Sequence, residues 1–543
     1  MTAKTMTASD TVANLATREG LTTWRQNLRT ILICMLVSSA TLQYGLDISI
    51  INGAQAMKGF LKVFGHPNPN APQGYGISTS FQQSITSLMN IGVVVGSFTL
   101  EFFSHRLGRR KNFIVGSLAS VGANLILVLS TNKSAIIFGR FLFGVSNGLY
   151  IGFTTIYISE AAPAHLRGSL VTFVQVSVCI GTIIGAVVNN ASSNMDSRLS
   201  YQIPLFTLFV IPVFCAVTAF FIPESPRWLI LKDRREDARH HLYRLRGPSF
   251  PPELIDAEID SIAEAVRAEQ ENTLRGWRAL RLMFSGAERR RTLLVMACGT
   301  MHGASGFPFI SSYKTYFFQV AGSKTPFTDS IIVTCVSLIG AFSGVFLNRY
   351  VRRRLVLLFG FIVQAFVMLI IATVWTANPA TVTTGKVIVA MVVIFQCLYA
   401  AIVGPTSWIV AGEIPNNRLR AMTFGLGNGV GFIAYFLIAF TTPYFINPEA
   451  LNIGPKVGYI WFGSNIIAFL FILFFLPETH RRSLENLDEM FYNNVPTRKF
   501  KSYQCTGVVQ HPEESEKALN EKALAIESDG ATSHVEKQPS RET

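Results

Sequence analysis

The chain has 543 residues, of which 49% are hydrophobic and only 15% are charged. A soluble protein of this length would form several domains and carry about 25% charged residues. Here the charges collect between apolar runs of about 20 residues, the length that crosses a bilayer as a helix. The formal net charge of +14 comes from Lys and Arg beside these runs, so the sequence predicts a membrane protein and no nucleic-acid partner.

The cysteines give no indication of a metalloprotein or of a disulfide-stabilised protein. Six of the seven cysteines lie inside apolar runs, where they are expected to pack as small residues. Their spacing predicts neither a metal site nor a disulfide framework. The sequence also lacks a nucleophile and base in a catalytic arrangement, so we predict that the protein is not an enzyme.

Changes in polarity divide the chain into five regions. We expect the first and last to be cytoplasmic, with disordered polar tails. Between them, two groups of six apolar runs flank a charged insert. The predicted N-terminal tail, six-helix bundle, cytoplasmic helical linker, second six-helix bundle and C-terminal segment with its tail are 1–28, 29–222, 223–290, 291–476 and 477–543.

Twelve apolar runs predict the membrane helices, at about 28–57, 83–104, 112–130, 135–158, 168–190, 203–222, 291–318, 327–348, 355–376, 386–411, 420–441 and 458–476. We expect the first helix to be broken within YGLDISIING (44–53). In the insert, apolar residues recur at helical spacing among the charges. This pattern predicts three or four short amphipathic helices on one face of the membrane.

Lys and Arg are concentrated in alternate loops and in the insert. Because positive residues stay on the cytoplasmic side, the insert and both termini are predicted to be cytoplasmic. The halves also repeat, since HRLGRR (105–110) is matched by NRYVRRR (348–354). Such repeats are typical of transporters that hold substrate midway between two bundles. The predicted fold is an all-α membrane protein of twelve transmembrane helices in two pseudo-symmetric six-helix bundles.

Seven motifs, in this order, resemble the sugar porter family of the major facilitator superfamily across residues 30–491. They are YGLDISIING (44–53), HRLGRRK (105–111), GRFLFG (139–144), SEAAPAHLRG (159–168), PESPRWL (223–229), VGPTSWIVAGEIPNNRLR (403–420) and PETHRRSLENLDEMF (477–491). The stretch TTPYFINPEALNIGPKVGYIWFGSN is similar to the fungal branch that includes maltose and other α-glucoside permeases.

The resemblance implies a monomeric plasma-membrane carrier. It would import a sugar, a hexose or an α-glucoside, by alternating access, with a proton as the coupling ion and no other cofactor. Two alternatives stay open. One is a carrier or exporter of a non-sugar small metabolite, such as an aromatic acid or secondary metabolite. The other is a sugar sensor that does not transport.

A buried arginine needs a partner, because placing it in hydrocarbon costs about 2.5 to 3.5 kcal/mol. Arg140 opens GRFLFG, and Asp47 lies in YGLD. In proton-coupled members of the family, the acid at the position of Asp47 faces the arginine at the position of Arg140, whereas facilitative relatives carry Asn there. We therefore expect Asp47 and Arg140 to couple transport to a proton. The alternative is a static ion pair that fixes two helices.

The resemblance also implies a cytoplasmic gate of acidic and basic residues at helix ends. In the family, these groups pair when the carrier faces outward and separate when it opens inward. A role as topology signals alone would explain the arginines but not the glutamates. The predicted gate residues are Arg109, Arg110, Glu160, Arg167, Glu224, Arg227, Arg352, Arg353, Glu413, Arg420 and Glu478.

Family members bind sugars with Gln or Asn side chains and an aromatic ring, since amides pair with hydroxyls and ring faces stack. Gln175 and Trp408 match two of those positions. The seventh helix departs from the pattern, and His302 stands where a Gln is usual. We expect His302, Ser305 and Tyr313 to supply polar contacts, with a packing role for His302 as the alternative.

Lys314 follows these residues within the seventh predicted helix. A lysine there could attract an anionic substrate. Lysines near helix ends more often extend their ammonium group to the membrane surface. We therefore predict that Lys314 reaches the outer interface.

Overall fold

The computed structural model describes residues 27–69, 74–248, 250–272, 276–379, 381–416, 419–447, 450–480, 482, 484–500, 503 and 505. The predicted N-terminal tail, apart from its last two residues, and the end of the C-terminal tail lie outside these ranges. Within them, twelve helices are long and apolar enough to cross a membrane. This confirms the predicted twelve-helix membrane fold.

We number these helices span 1 to span 12. In chain order they are Leu28–Ala54, Thr79–Leu100, Arg106–Leu129, Lys133–Ala161, Phe173–Ser192, Leu199–Thr218, Gly286–Val320, Pro326–Asn348, Arg353–Ala377, Val382–Glu413, Met422–Ile446 and Gly454–Phe474. Spans 1 to 6 form the N-half and spans 7 to 12 form the C-half.

Several spans contain breaks, and shorter elements connect them. Span 7 is divided into Gly286–Ala304 and Phe307–Val320, and span 10 into Val382–Leu398, a π-helical turn at Tyr399–Val403, and Gly404–Glu413. Outside the spans, short helices and one two-stranded hairpin complete the described chain. These are Lys58–Phe64, the strands His66–Pro67 and Tyr75–Gly76, Pro226–Leu231, Arg235–Arg246, Pro252–Asn272, Gly276–Met283 and Leu484–Tyr492.

The predicted break in span 1 was placed wrongly. Helix Leu42–Ala54 runs through YGLDISIING, and the irregular turn lies just before it, at Ser39–Thr41. There the hydroxyl of Thr41 donates to the Ser38 carbonyl at 2.7 Å, and such back-bonding tightens a helical turn. Gly45 of the motif does not break the helix but allows close packing, because a Cβ on this residue would lie 2.0 Å from the Val178 carbonyl oxygen of span 5.

Close helix contacts repeat in the two halves. Spans 2 and 4 approach so closely that a Cβ on Gly144 would lie 2.1 Å from the Met89 carbonyl oxygen. Spans 8 and 10 do the same in the C-half, where a Cβ on Gly340 would lie 2.5 Å from the Cys397 carbonyl oxygen. Small residues allow backbones to approach in this way. The repeat seen in the sequence is therefore a repeat in packing.

The insert between spans 6 and 7 folds into four helices, within the predicted number. Its second helix docks on the N-half, where the Thr30 hydroxyl donates to the Leu245 carbonyl at 2.9 Å and Arg246 donates to the Ala161 carbonyl at 2.9 Å. Its last helix, Gly276–Met283, packs on the C-half against Leu419. Arg246 also forms an ion pair with Glu258 inside the insert. We call this side of the bundle the insert end and the opposite side the far end.

Candidate functional site

The centre of the N-half holds a buried ion pair between spans 1 and 4. Asp47 and Arg140 are 0% and 1% exposed, and one Arg140 nitrogen bonds the Asp47 Oδ1 atom. The Arg140 Nε atom donates to the Ile85 carbonyl at 2.9 Å, and a terminal nitrogen lies 3.0 Å from the Met89 sulfur, both in span 2. The guanidinium of span 4 is therefore held by groups from two other spans, 1 and 2.

The second Asp47 oxygen, Oδ2, has no hydrogen-bond partner among the residues that the structure describes. It is an acceptor site that a proton can occupy without displacing an existing bond. Removing one member of a buried pair typically costs about 3 to 5 kcal/mol, because the other charge is left uncompensated. Separating Asp47 from Arg140 inside the membrane would therefore leave a buried charge without its partner.

At the insert end of the N-half, Arg109 makes a two-pronged contact with Glu160, at 2.9 and 2.7 Å. Such bidentate pairs are among the stronger charged contacts. The backbone N–H of Arg109 donates to Glu224 at 2.7 Å, and the Arg110 side chain donates to the Ala219 carbonyl at 2.8 Å. Burial raises the pKa of Glu224 above its usual value, although these backbone donors oppose the shift.

The C-half repeats this arrangement. Arg353 pairs with Glu413 at the end of span 10, and its backbone N–H donates to Glu478 at 3.1 Å. Arg420 donates to the Gly412 carbonyl at 2.7 Å. At its insert end, each half therefore has an arginine–glutamate pair and a glutamate that accepts hydrogen bonds from backbone N–H groups.

The remaining predicted gate residues lie at the same end. Arg352 is exposed just before span 9, and Arg227 is half-buried in helix Pro226–Leu231. The side chain of Arg167 lies outside what the structure describes. Both arginine–glutamate pairs above lie within a half, so a gating role for this set stays a prediction.

At the far end, hydrogen bonds join the two halves. The Asn52 amide of span 1 donates to the Ser311 carbonyl of span 7 at 2.7 Å and accepts from the Thr315 backbone N–H at 2.9 Å. The Asn447 amide, just past span 11, donates to Gln82 of span 2 at 2.8 Å. The halves are thus fastened together on this side.

The C-half holds an aromatic cluster between spans 7 and 10. The Tyr399 hydroxyl lies 2.7 Å from His302 Nδ1, and the Tyr399 ring stacks on Phe307 with centroids 3.7 Å apart. The Trp408 ring lies 5.4 Å from the His302 ring. Of the predicted substrate contacts, His302 and Trp408 are brought together here, and Gln175 is exposed on span 5.

Two predicted substrate contacts are already engaged by protein groups. The Ser305 hydroxyl donates to the His302 carbonyl at 3.0 Å and accepts from the Phe307 N–H at 3.2 Å, which secures the break in span 7. The Tyr313 hydroxyl donates to the Ala439 carbonyl of span 11 at 2.7 Å. Both residues are fully buried. In this structure their polar atoms serve helix packing, and a contact with substrate stays a prediction.

Sequence reasoning missed Tyr399 and Phe307, which organise the cluster. The available signal was Pro405, which follows the π-helical turn at Tyr399–Val403. Proline removes a backbone donor from a helix, and π-helical turns occur often at functional sites. The turn places Tyr399 against span 7.

The prediction for Lys314 was wrong. The residue is 5% exposed and does not extend to the membrane surface. Its ammonium group is close enough to Cys179 of span 5, across the boundary between the halves, for the two groups to interact electrostatically.

Two repeated six-helix halves, with a buried ion pair in one and an aromatic cluster in the other, define a major facilitator-type membrane transporter. The family model described as "Sugar (and other) transporter" matches residues 33–491. The chain therefore belongs to this family, as its motifs predicted. It is a multi-pass membrane protein.

Individual relatives agree with this assignment. The chain is 27% identical over 506 residues to the major facilitator-type transporter ecdD of Aspergillus rugulosus, covering 91% of this chain and 93% of that protein. It is 30% identical over 476 residues to the maltose permease MAL31 of Saccharomyces cerevisiae, covering 86% and 76%. The partially occluded inward-open structure of the xylose transporter XylE from E. coli matches with a TM-score of 0.68 at 19% identity, covering 84% and 100%.

Proposed function

We propose that the chain is a secondary active carrier that imports a sugar-class compound, a hexose or an α-glucoside, together with a proton. The observation that carries this proposal is the buried Asp47–Arg140 pair with its open Oδ2 atom. A carrier without an ion gradient to use has no need of an ionisable pair at the centre of the membrane, where such groups are costly.

In the proposed cycle, a proton binds Asp47 and neutralises the carboxylate. Arg140 then keeps its bonds to span 2 but loses its charged partner in span 1. Span 1 is thereby free to move relative to span 4. Because span 1 bonds span 7 through Asn52, this movement is transmitted to the contact between the halves.

The arginine–glutamate pairs at the insert end stabilise each half as a rigid body during this movement. The far-end hydrogen bonds break when the carrier opens on that side. Alternating access then consists of rocking the two halves about the central site. On the distribution of Lys and Arg, we place the insert and both termini in the cytoplasm. A carrier that imports its substrate into the cell would lie in the plasma membrane.

The substrate is proposed to bind between Gln175 and the cluster of His302 and Trp408. The name of the maltose permease relative supports a sugar. A second candidate, a non-sugar metabolite on the same fold, is favoured by the engagement of Ser305 and Tyr313 in packing. Because these two hydroxyls are engaged, fewer protein groups are left to pair with substrate hydroxyls than a sugar site usually offers.

Uptake by transporter-deficient yeast tests the proposal. Cells expressing the full chain receive radiolabelled glucose, maltose, a polyol or an aromatic acid, with and without a protonophore. We expect concentrative uptake of a sugar that the protonophore abolishes. Uptake of the acid alone would favour the metabolite carrier. Surface expression without uptake of any compound would contradict transport and favour a sensor.

A further inference from the structure

Lys314 is a buried cation without a carboxylate partner in the described part of the chain. It lies in the second helix of span 7, Phe307–Val320, and is 5% exposed. The other buried cation near the centre, Arg140, has its carboxylate in Asp47. The Asp47–Arg140 pair is neutral as a unit, so Lys314 adds one uncompensated positive charge to the membrane core.

The side chain is directed toward the middle of the bundle. Side chains on a helix lean toward its N-terminus, and helix Phe307–Val320 runs from the centre toward the far end. The neighbouring residues Ser311 and Thr315 bond Asn52 of span 1, so this part of the helix lies at the boundary between the halves. Cys179 of span 5, which packs against Ala341 of span 8 and Ala400 of span 10, is close enough to Lys314 for the two groups to interact electrostatically.

Among the described residues, no carboxylate forms an ion pair with Lys314, and two polar groups lie close to Lys314 or to Cys179 in the chain. The Gln175 amide lies 3.9 Å from the Cys179 sulfur, one helical turn nearer the insert end. Ser311, one turn from Lys314 on its own helix, bonds the Tyr435 hydroxyl at 2.6 Å. An unpaired ammonium in this setting costs about 2.5 to 3.5 kcal/mol on insertion scales.

Three residues on one face of helix Phe307–Val320 lead from the aromatic cluster to this cation. Phe307, Ser311 and Lys314 are spaced i, i+4 and i+7, which places them on one side of a helix. Phe307 stacks on Tyr399. The seven-residue separation corresponds to about 10 Å along the axis at 1.5 Å per residue. The face therefore carries an aromatic surface and a positive charge within the length of a small ring compound, and the Ser311 hydroxyl between them is engaged with Tyr435.

We propose that the substrate carries a carboxylate, which forms an ion pair with Lys314, on a ring that bears hydroxyl groups. A sugar acid and a hydroxylated aromatic acid both fit this chemistry. The ring would lie against the cluster of His302, Tyr399 and Trp408, with Gln175 pairing with a hydroxyl. This inference rests on the proposed carrier and its central site between the halves, and it replaces the neutral hexose or α-glucoside of that proposal with an acid.

The test is equilibrium binding to the purified full-length protein in detergent. Two matched pairs separate the carboxylate from the rest of the molecule: glucuronate against glucose, and 4-hydroxybenzoate against 4-hydroxybenzyl alcohol. We expect one acid to bind at least about 10-fold more tightly than its neutral partner, since a charge-assisted contact in a buried site exceeds a neutral one by about 1.4 kcal/mol or more. If glucuronate shows this preference, the substrate is a sugar acid; if 4-hydroxybenzoate shows it, the substrate is an aromatic acid.

Two variants assign the preference to Lys314. In Lys314→Met, which keeps the length of the side chain but removes the charge, the preference for the acid should disappear. In Lys314→Arg it should largely persist. Thermal unfolding of Lys314→Met should be unchanged or higher than that of the wild type, because an unpaired buried charge is lost. A purely structural role would instead weaken binding of the acid and its neutral partner equally.

Equal binding of acid and neutral partner by the wild type, binding of neither, or a preference that survives in Lys314→Met would overturn the inference. These measurements use no proton gradient. Their outcome therefore does not depend on whether the proposed proton coupling is correct. A failure of the coupling would show instead as uphill uptake that does not depend on Asp47.

Discussion

Equivalent spans of the two halves are joined by opposite kinds of contact. In the N-half, spans 1 and 4 meet through the charged pair Asp47–Arg140. In the C-half, the equivalent spans 7 and 10 meet through a neutral hydrogen bond between His302 and Tyr399 and the stacked ring of Phe307. The backbone frames are repeats, but the chemistry at the centre is not.

This difference indicates different roles for the two halves. A charged pair responds to a proton, whereas stacked rings respond to the shape of a ligand. The N-half is therefore suited to coupling and the C-half to substrate binding. Span 7 belongs to both tasks, because it also bonds span 1 through Asn52.

Removing the charge from one member of the N-half pair should have the largest effect on stability. Arg140→Met leaves the Asp47 carboxylate buried and unpaired, which should cost about 3 to 5 kcal/mol. The matched change in the C-half, Tyr399→Phe, removes one neutral hydrogen bond and should cost about 1 kcal/mol. Thermal unfolding in detergent measures both.

The contrast has a direct control in the double variant Arg140→Met with Asp47→Asn. Since it removes both charges, it should recover part of the stability lost in Arg140→Met alone. Equal losses in the Arg140 and Tyr399 variants would mean that the ion pair is no more important to the fold than the aromatic cluster.

Close packing of span 4 on span 2 should have the next largest effect. In Gly144→Ala the new Cβ would lie 2.1 Å from the Met89 carbonyl oxygen, and such overpacking costs about 1 to 3 kcal/mol. Gly425 of span 11 provides the control, because a Cβ there meets no atom within 4 Å. Gly425→Ala should be neutral or stabilising by up to about 1 kcal/mol. Similar unfolding temperatures for the two variants would contradict the proposed close contact.

The smallest effect is expected at the insert end, from Glu224. Burial raises the pKa of this carboxyl above the 4.5 of a free glutamate. The folded protein then holds this proton more tightly than the unfolded chain, so the contribution of Glu224 to stability is greatest below about pH 4.5 and falls as pH rises through the folded pKa. Glu224→Gln should flatten the unfolding temperature across that interval. The C-half counterpart Glu478→Gln shows what loss of a capping carboxylate does by itself. An unchanged pH profile in Glu224→Gln would count against the assignment.

Much of this architecture could be predicted from the sequence. Twelve apolar runs, repeated motifs and an arginine in an apolar helix are local patterns, and each reports a strong physical requirement of the membrane. The pairing of Arg140 with Asp47 followed from the same reasoning together with the family resemblance. The repeat predicted that Glu160 and Glu413 would occupy matching positions, and both pair with an arginine.

Other features depended on contacts that the sequence does not encode locally. Lys314 was expected at the surface because lysines usually reach it, but helix Phe307–Val320 buries its side chain inside the bundle. Ser305 and Tyr313 carry hydroxyl groups of the kind that bind ligands. In the structure, the Ser305 hydroxyl bonds the backbone at the break in span 7, and the Tyr313 hydroxyl bonds the backbone of span 11. Tyr399 was missed because its position depends on a π-helical turn.

The claim that the N-half pair couples transport to a proton is tested most directly by Asp47→Asn in proteoliposomes. The variant and the wild type are compared in two assays: uphill uptake driven by an imposed pH gradient, and exchange of labelled for unlabelled substrate without a gradient. We predict that Asp47→Asn loses uphill uptake and retains exchange. Retention of uphill uptake by Asp47→Asn would contradict the coupling role and leave Asp47–Arg140 as a static pair.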